Sequence, residues 1–160
     1  MMRLYYSSNA GQWEPNEYGG NGNLEAIAFI KDLNETLYRD FPDIQTIAEE
    51  ASDYPKISKP TFEDGLGFGM KWMMGWMHDT LDYFKMDFLF RQFYQDKFSF
   101  SMMYFYDENF MLPLSHDEVV HGKSPMLYKM PGDEWQKFAN MRMLYTYMFT
   151  HHGAKLSFMG

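Results

Sequence analysis

Short apolar segments alternate with amphipathic helical segments along this chain, and that order restricts the folds it can adopt. Residues 44–50, 65–72 and 110–117 are short and apolar without strict alternation, which is typical of strands buried on both faces of a sheet. A fourth such segment begins at Lys155. Because helical segments separate the strands, the pattern predicts an α/β fold with a parallel sheet.

Three helices are predicted from apolar residues that recur at helical spacing. The first follows Asn23, a good N-cap residue. The second is expected over residues 75–95, with Trp76, Met77, Leu81 and Phe84 on one face. Asp133 caps the third, and its Trp, Met and Phe side chains over residues 135–148 are expected to face the core. His151 then falls at a helix C-terminus, where the helix dipole favours a positive charge.

Composition limits the classes of protein to consider. The formal net charge is −8 and no cluster of Lys and Arg stands out, so nucleic acid is not an expected partner. The absence of cysteine excludes disulfides and thiolate metal sites, and it fits a reducing, cytoplasmic location. No apolar run reaches the roughly 18 residues of a membrane span. The length fits a single domain, residues 1–160.

Acidic residues follow two of the predicted strands. Glu49 and Glu50 end one strand, and His116, Asp117 and Glu118 end another. In parallel α/β folds the ligand binds at the carboxyl ends of the strands, so these side chains are expected to converge. Paired carboxylates are what glycosidic-bond chemistry requires. The alternative, that they are solvated strand ends without a function, stays open.

A metal site is the competing interpretation of the stretch "HDEVVH". A zinc-protease helix places its two histidines four residues apart, whereas His116 and His121 are five apart and an apolar strand precedes them. We therefore predict no metal and no cofactor.

Aromatic side chains beside glycine-rich loops are candidates for sugar stacking. Trp13, Tyr18 and Trp76 lie next to such loops, and an exposed ring there can cover the face of a pyranose. Burial in the core is the alternative for each ring.

Several stretches, taken together, resemble one family. They are "WEPNEYGGNGNLEAIAFIKDLNE", "TIAEEAS", "GLGFGMKWMMGWMHDTLDYF" and "LPLSHDEVVHGK" followed by "KMPGDEWQKFANMR". They resemble bacterial 1,4-α-glucan (glycogen) branching enzymes of the α-amylase family, in order and over nearly the whole chain. The last pair is specific to branching enzymes, whereas "AEE" and "HDE" belong to the wider α-amylase family.

The resemblance implies a fold, an activity and residue roles. It implies a (β/α)8 TIM barrel and a glycosyltransferase of glycogen biosynthesis that moves α-1,4-linked chains to a glucan 6-hydroxyl by a retaining double displacement. By position, Glu49 corresponds to the general acid/base and Asp117 to the carboxylate that stabilises the transition state. His116 corresponds to a sugar-binding neighbour. The implied substrate is an α-glucan such as glycogen or amylose.

One feature of the family is missing from these 160 residues. The family's nucleophile is an aspartate in a motif like "R-x-D-A-V", and no such motif occurs here. Four predicted strands cannot close an eight-stranded barrel of about 250 residues. We therefore expect roughly the second half of a barrel, without its early strands and the C-terminal β domain. Such a piece has unpaired strand edges and cannot form a glycosyl-enzyme.

Two other functions remain open beside the branching activity. One is an amylase-type hydrolase of the same family, which would pass the glucan to water instead of to a sugar. The other is an inactive fragment that only binds glucan, which the high aromatic content of 19% would suit.

Overall fold

The computed structural model describes residues 3–7, 9, 11–118 and 123–158 as a mixed α/β structure. The strands in this part of the chain form one four-stranded sheet in the order β1-β2-β3-β4. None of the described helices is long and apolar enough to cross a membrane. The elements in chain order are α1 (Leu24–Asp40), β1 (Ile47–Ala48), β2 (Met70–Trp72), α2 (Met74–Lys85), α3 (Gln95–Ser99), β3 (Phe110–Leu114), α4 (Met126–Lys129), α5 (Glu134–Thr150) and β4 (Ala154–Ser157).

The chain divides into two compact units. The first comprises Met1–Ala48 and Ser52–Met70, and the second comprises Glu49–Ala51 and Lys71–Gly160. Each unit has a hydrophobic core of its own.

The first unit packs α1 over a small aliphatic core. Asn23 caps the helix as predicted, because its side chain accepts the N–H of Ala26 at 3.0 Å. Further along α1, the buried Asn34 donates its side-chain amide to the carbonyl of Leu66 at 2.8 Å. The core residues are Leu4, Ile30, Ala48, Ile57 and Leu66.

Strand β1 is shorter than the predicted strand over residues 44–50. The N–H of Thr46 donates to the hydroxyl of Tyr38 at 3.0 Å instead of to a neighbouring strand, so regular pairing starts late. The carbonyl of Thr46 accepts the N–H groups of Gly69 and Met70. Ile47 is exposed, so this strand is buried on one face only, against the expectation from its sequence.

The second unit is organised around β3, which pairs in parallel with β2 on one side and β4 on the other. Its residues are buried almost without alternation, as the apolar run predicted. On the β2 side, the carbonyl of Met111 accepts the N–H of Met73 at 2.8 Å. On the β4 side, the carbonyl of Leu114 accepts the N–H of Phe158 at 3.0 Å. Pro113, between them, has no N–H to donate.

Helix α2 supplies the predicted face to this core but ends ten residues early. Trp76, Met77, Leu81 and Phe84 are all buried. After Lys85 the chain becomes extended, and the carboxylate of Asp87 accepts the N–H of Leu89 in a local turn.

Arg91 closes the end of α2 and accounts for its early stop. The buried guanidinium donates to the carbonyls of Phe84 at 2.8 Å and Met86 at 3.1 Å. It also donates to the side-chain oxygen of Asn140 on α5 at 2.8 Å. These bonds satisfy carbonyls that an ending helix leaves without partners.

Helix α5 starts where predicted, with Asp133 and Gln136 forming a capping box. Its buried face is set by Asn140, Leu144, Tyr147 and Met148. At 100° per residue, Trp135 and Phe138 point away from that face, and they are 73% and 46% exposed. The prediction that the whole 135–148 stripe faces the core is therefore wrong for its first turn and a half.

Candidate active site

Glu49 follows β1 directly, as the sequence predicted for an acid at a strand end. Ala48 before it is buried in the core of the first unit, whereas the side chain of Glu49 is exposed. The segment Glu49–Ala51 groups with the second unit, which also contains the acids that follow β3. An exposed carboxyl on an anchored strand end is accessible to a sugar.

The residues after β3 form a 3-10 turn over His116–Glu118 rather than the end of a longer strand. Ser115 fixes this turn. Its buried hydroxyl accepts the N–H of Asp117 at 3.3 Å, and its carbonyl accepts the N–H of Glu118 at 3.2 Å. Ser115 was not among the residues singled out from the sequence, although a serine hydroxyl often accepts the backbone N–H two residues on and so favours a turn.

His116 and Asp117 form one polar pair on this turn. The Nε2 atom of His116 lies 3.3 Å from Oδ1 of Asp117, and about half of each side chain is exposed. The ring of Phe158, after β4, meets the His116 ring edge-on at 5.8 Å. An exposed polar pair of this kind adds little stability to the fold.

Of the three aromatic residues predicted to stack on a sugar, the structure contradicts the prediction for Trp76. Its side chain is 1% exposed and stacks on Tyr147 with ring centroids 6.1 Å apart, so it offers no face to a sugar. Tyr18 is 80% exposed and Trp13 is partly exposed. Both belong to the first unit, where Asn16 holds the turn by accepting the N–H of Tyr18 at 3.0 Å.

The metal alternative depended on His121, which lies outside the described residues. Within the described ranges, no three His, Asp or Glu side chains are grouped as metal ligands.

A basic pocket near the β3 turn was not predicted. Its volume is about 640 Å³, and its lysines come from the end of α2 and from the region of α4. No lysine cluster is evident in the sequence, because Lys85 lies about 40 positions before Lys123 and Lys129 along the chain. The lining residues are His78, Lys85, Glu118, Lys123, Ser124, Tyr128 and Lys129.

Comparison with known proteins identifies the class that the chain resembles. No protein-family model matches the chain. Over its whole length it is nevertheless similar to one class of curated protein, the glucan branching enzymes. The relatives carry the name 1,4-alpha-glucan branching enzyme GlgB, which confirms the resemblance that the motifs indicated.

The similarity is high but covers a limited part of each relative. The chain is 60% identical over 159 residues to the protein of Synechocystis sp., covering 99% of this chain and 21% of the relative. It is 57% identical over 160 residues to that of Aromatoleum aromaticum, covering 100% and 25%. It is 57% identical over 157 residues to that of Aquifex aeolicus, covering 98% and 25%. The chain thus spans about a fifth to a quarter of the length of these relatives.

Proposed function

We propose that this chain is part of a 1,4-α-glucan branching enzyme. The activity would cleave an α-1,4 bond and transfer the released chain to a 6-hydroxyl of a glucan such as glycogen or amylose. The observation that supports this most strongly is the identity of 57–60% to named branching enzymes along the whole chain.

In this proposal Glu49 acts as general acid/base. It protonates the oxygen of the departing chain and later, as the carboxylate, takes the proton from the acceptor hydroxyl. Its exposed position at the end of β1 supports access to both. Asp117 stabilises the positive charge that develops on the sugar ring, and His116 beside it binds ring hydroxyls.

The nucleophile would come from a part of the protein outside these 160 residues. A retaining reaction needs a carboxylate that forms the covalent glycosyl ester, and the sequence contains no counterpart of the family motif for it. The 160 residues alone are therefore inactive in this proposal.

The wider proposal places residues 1–160 within one (β/α)8 catalytic domain of a cytoplasmic enzyme. The strand order and the parallel pairs around β3 support consecutive strands of such a barrel. The cysteine-free sequence fits a reducing compartment.

A segment exchange tests the activity. The 159 matched residues of the Synechocystis sp. relative would be replaced by this chain, and new α-1,6 linkages in amylose would be counted against released reducing ends. We expect branching to persist. A dominant release of reducing ends would instead support the amylase-type hydrolase, and loss of both activities in a folded protein would contradict the proposal.

Variants of the exchanged protein test the residue roles. Glu49→Gln and Asp117→Asn should each lower kcat by at least about 100-fold, because general acid catalysis and charge stabilisation each contribute about that much. Glu50→Gln is the matched control and should retain most of the activity. A larger loss in Glu50→Gln than in Glu49→Gln would reverse the assignment of the acid.

Glucan binding by the isolated chain is a second candidate function, favoured by the exposed ring of Tyr18. Electrophoresis through a glycogen-containing gel would show retardation of the chain, and Tyr18→Ala with Trp13→Ala should abolish it. Equal mobility with and without glycogen would exclude this function.

A further inference from the structure

We propose that the pocket lined by Lys85, Lys123 and Lys129 binds a phosphate ester of a polyhydroxy compound. We refer to it below as the basic pocket, with the seven lining residues given above. The inference is independent of the proposed branching activity, because none of Glu49, His116 and Asp117 lines the basic pocket.

The charge of the basic pocket is opposite to that of the chain. Three lysines and one glutamate line it, which leaves a formal surplus of two positive charges in a chain of net charge −8. Lysines gathered in one pocket repel one another. A bound dianion would attract each ammonium and so offset that repulsion. Lysine also binds phosphate well as a point charge.

A backbone contact restrains Lys129, one of the lysines of the basic pocket. Its ammonium donates to the backbone carbonyl of Lys123. Burial lowers the pKa of Lys129, and the nearby charge of Lys85 lowers it further. A partly dehydrated ammonium among like charges gains more from an anion than a fully hydrated one does.

The remaining lining groups suit the hydroxyls of a sugar-like ester better than a bare phosphate. Glu118 can accept hydroxyl hydrogen bonds, and Ser124 and Tyr128 can donate or accept them. Tyr128 has Lys137 over its ring, with Nζ 5.6 Å from the ring centroid, which adds positive charge beside the basic pocket. A volume of about 640 Å³ is within the range of small-molecule sites and exceeds the needs of phosphate alone.

Calorimetric titration of the complete 160-residue chain tests the proposal, with glucose 6-phosphate as the probe. We expect saturable binding that weakens as salt is added, and inorganic phosphate binding about tenfold more weakly because it makes no hydroxyl contacts. A phosphorylated maltodextrin arm distinguishes the source of the ester: tighter binding than glucose 6-phosphate assigns the basic pocket to a modified glucan. Displacement of the probe by unphosphorylated maltotriose would overturn the proposal.

Charge variants in both directions make the test specific. Lys129→Gln and Lys123→Gln should each weaken binding of glucose 6-phosphate about tenfold, whereas Glu118→Gln should strengthen it about threefold. Lys59→Gln, in the first unit, is the control and should bind as the unaltered chain does.

Circular dichroism melts establish that each variant is folded before its affinity is compared. If Lys129→Gln does not fold, the exposed Lys123 carries the comparison. No saturable binding to the folded chain, or unchanged affinity in a folded lysine variant, would overturn the proposal.

Discussion

The two units of the chain are stabilised in different ways. The first has a small core of aliphatic residues, and the polar bond from Asn34 to Leu66 fixes α1 against its loop. The second has a larger core rich in aromatic and methionine side chains, among them Trp76, Phe84 and Met148. The acids of the candidate site follow strands of different quality, since β1 has two residues and β3 has five. The backbone that carries Asp117 therefore follows a longer paired strand than the backbone that carries Glu49.

The largest expected difference between the two units is the loss in free energy of unfolding when a core side chain is truncated. Phe84 is fully buried and its ring meets Tyr83, Phe98 and the guanidinium of Arg91. Phe84→Ala should lower the free energy of unfolding by about 4 kcal/mol, against about 2–3 kcal/mol for Ile57→Ala in the first unit. Urea titrations followed by circular dichroism measure both. A larger loss for Ile57→Ala would reverse the comparison.

The second largest difference in the free energy of unfolding should come from the buried polar hydrogen bonds. Arg91→Met leaves two carbonyls and the Asn140 side chain without their donor, so we expect a loss of about 3 kcal/mol. Asn34→Ala removes a single bond and should cost about 1–2 kcal/mol. The same urea titrations apply, and equal losses would show that the three bonds of Arg91 do not act together.

A loss of stability due to histidine between pH 7.5 and 5 should belong to the second unit alone, since the first contains no histidine. His151 is buried, with Nδ1 3.0 Å from the carbonyl of His152 and Nε2 3.0 Å from the hydroxyl of Ser101. Burial lowers its pKa, and the ammonium of Lys155, bonded to the His151 carbonyl, also disfavours protonation. The helix dipole predicted a favoured positive charge here, and burial reverses that expectation.

Because the folded-state pKa lies below the ordinary value of 6.5, the neutral ring stabilises the fold above pH 6.5. That stability is lost as the pH falls toward and through the folded-state pKa, at up to about 1.4 kcal/mol per pH unit. Unfolding titrations at pH 7.5, 6 and 5 should show the decline, and His151→Gln should flatten it. An equally steep decline in His151→Gln would assign it to another group.

Helix caps should give the smallest difference. The double variant Asp133→Ala with Gln136→Ala removes both hydrogen bonds of the capping box from α5, and Asn23→Ala removes one bond from α1. We expect losses of about 1–2 and about 0.5–1 kcal/mol, measured as shifts in Tm. A greater shift for Asn23→Ala would indicate that the Gln136 side-chain bond adds nothing.

The sequence predicted local structure well wherever short-range chemistry determines it. The caps at Asn23 and Asp133, the apolar strand β3 and the buried face of α2 were all expected and are present. Predictions failed where side chains from outside the element decide. Arg91 ends α2, the Tyr38 hydroxyl shortens β1, and the face of Trp135 depends on which side of α5 meets the core.

The candidate site follows the same division. The positions of Glu49 and Asp117 after their strands could be predicted, because acids after apolar runs are a local pattern. The grouping of Lys85 with Lys129 could not, since it depends on contacts that only the folded chain creates. Trp76 was predicted on the apolar face of α2, and its burial there excludes the sugar-stacking role.

Pro113 acts as a built-in stop for the ladder between β2 and β3. The groups of β3 that face β2 belong to alternate residues, and Met111 makes the last such bond, to Met73. Two residues further on, the backbone nitrogen of Pro113 carries no hydrogen and cannot donate the next bond of the ladder. The two strands can therefore separate beyond that point without losing a hydrogen bond donated by residue 113, and the turn that carries His116 and Asp117 follows shortly after it on β3.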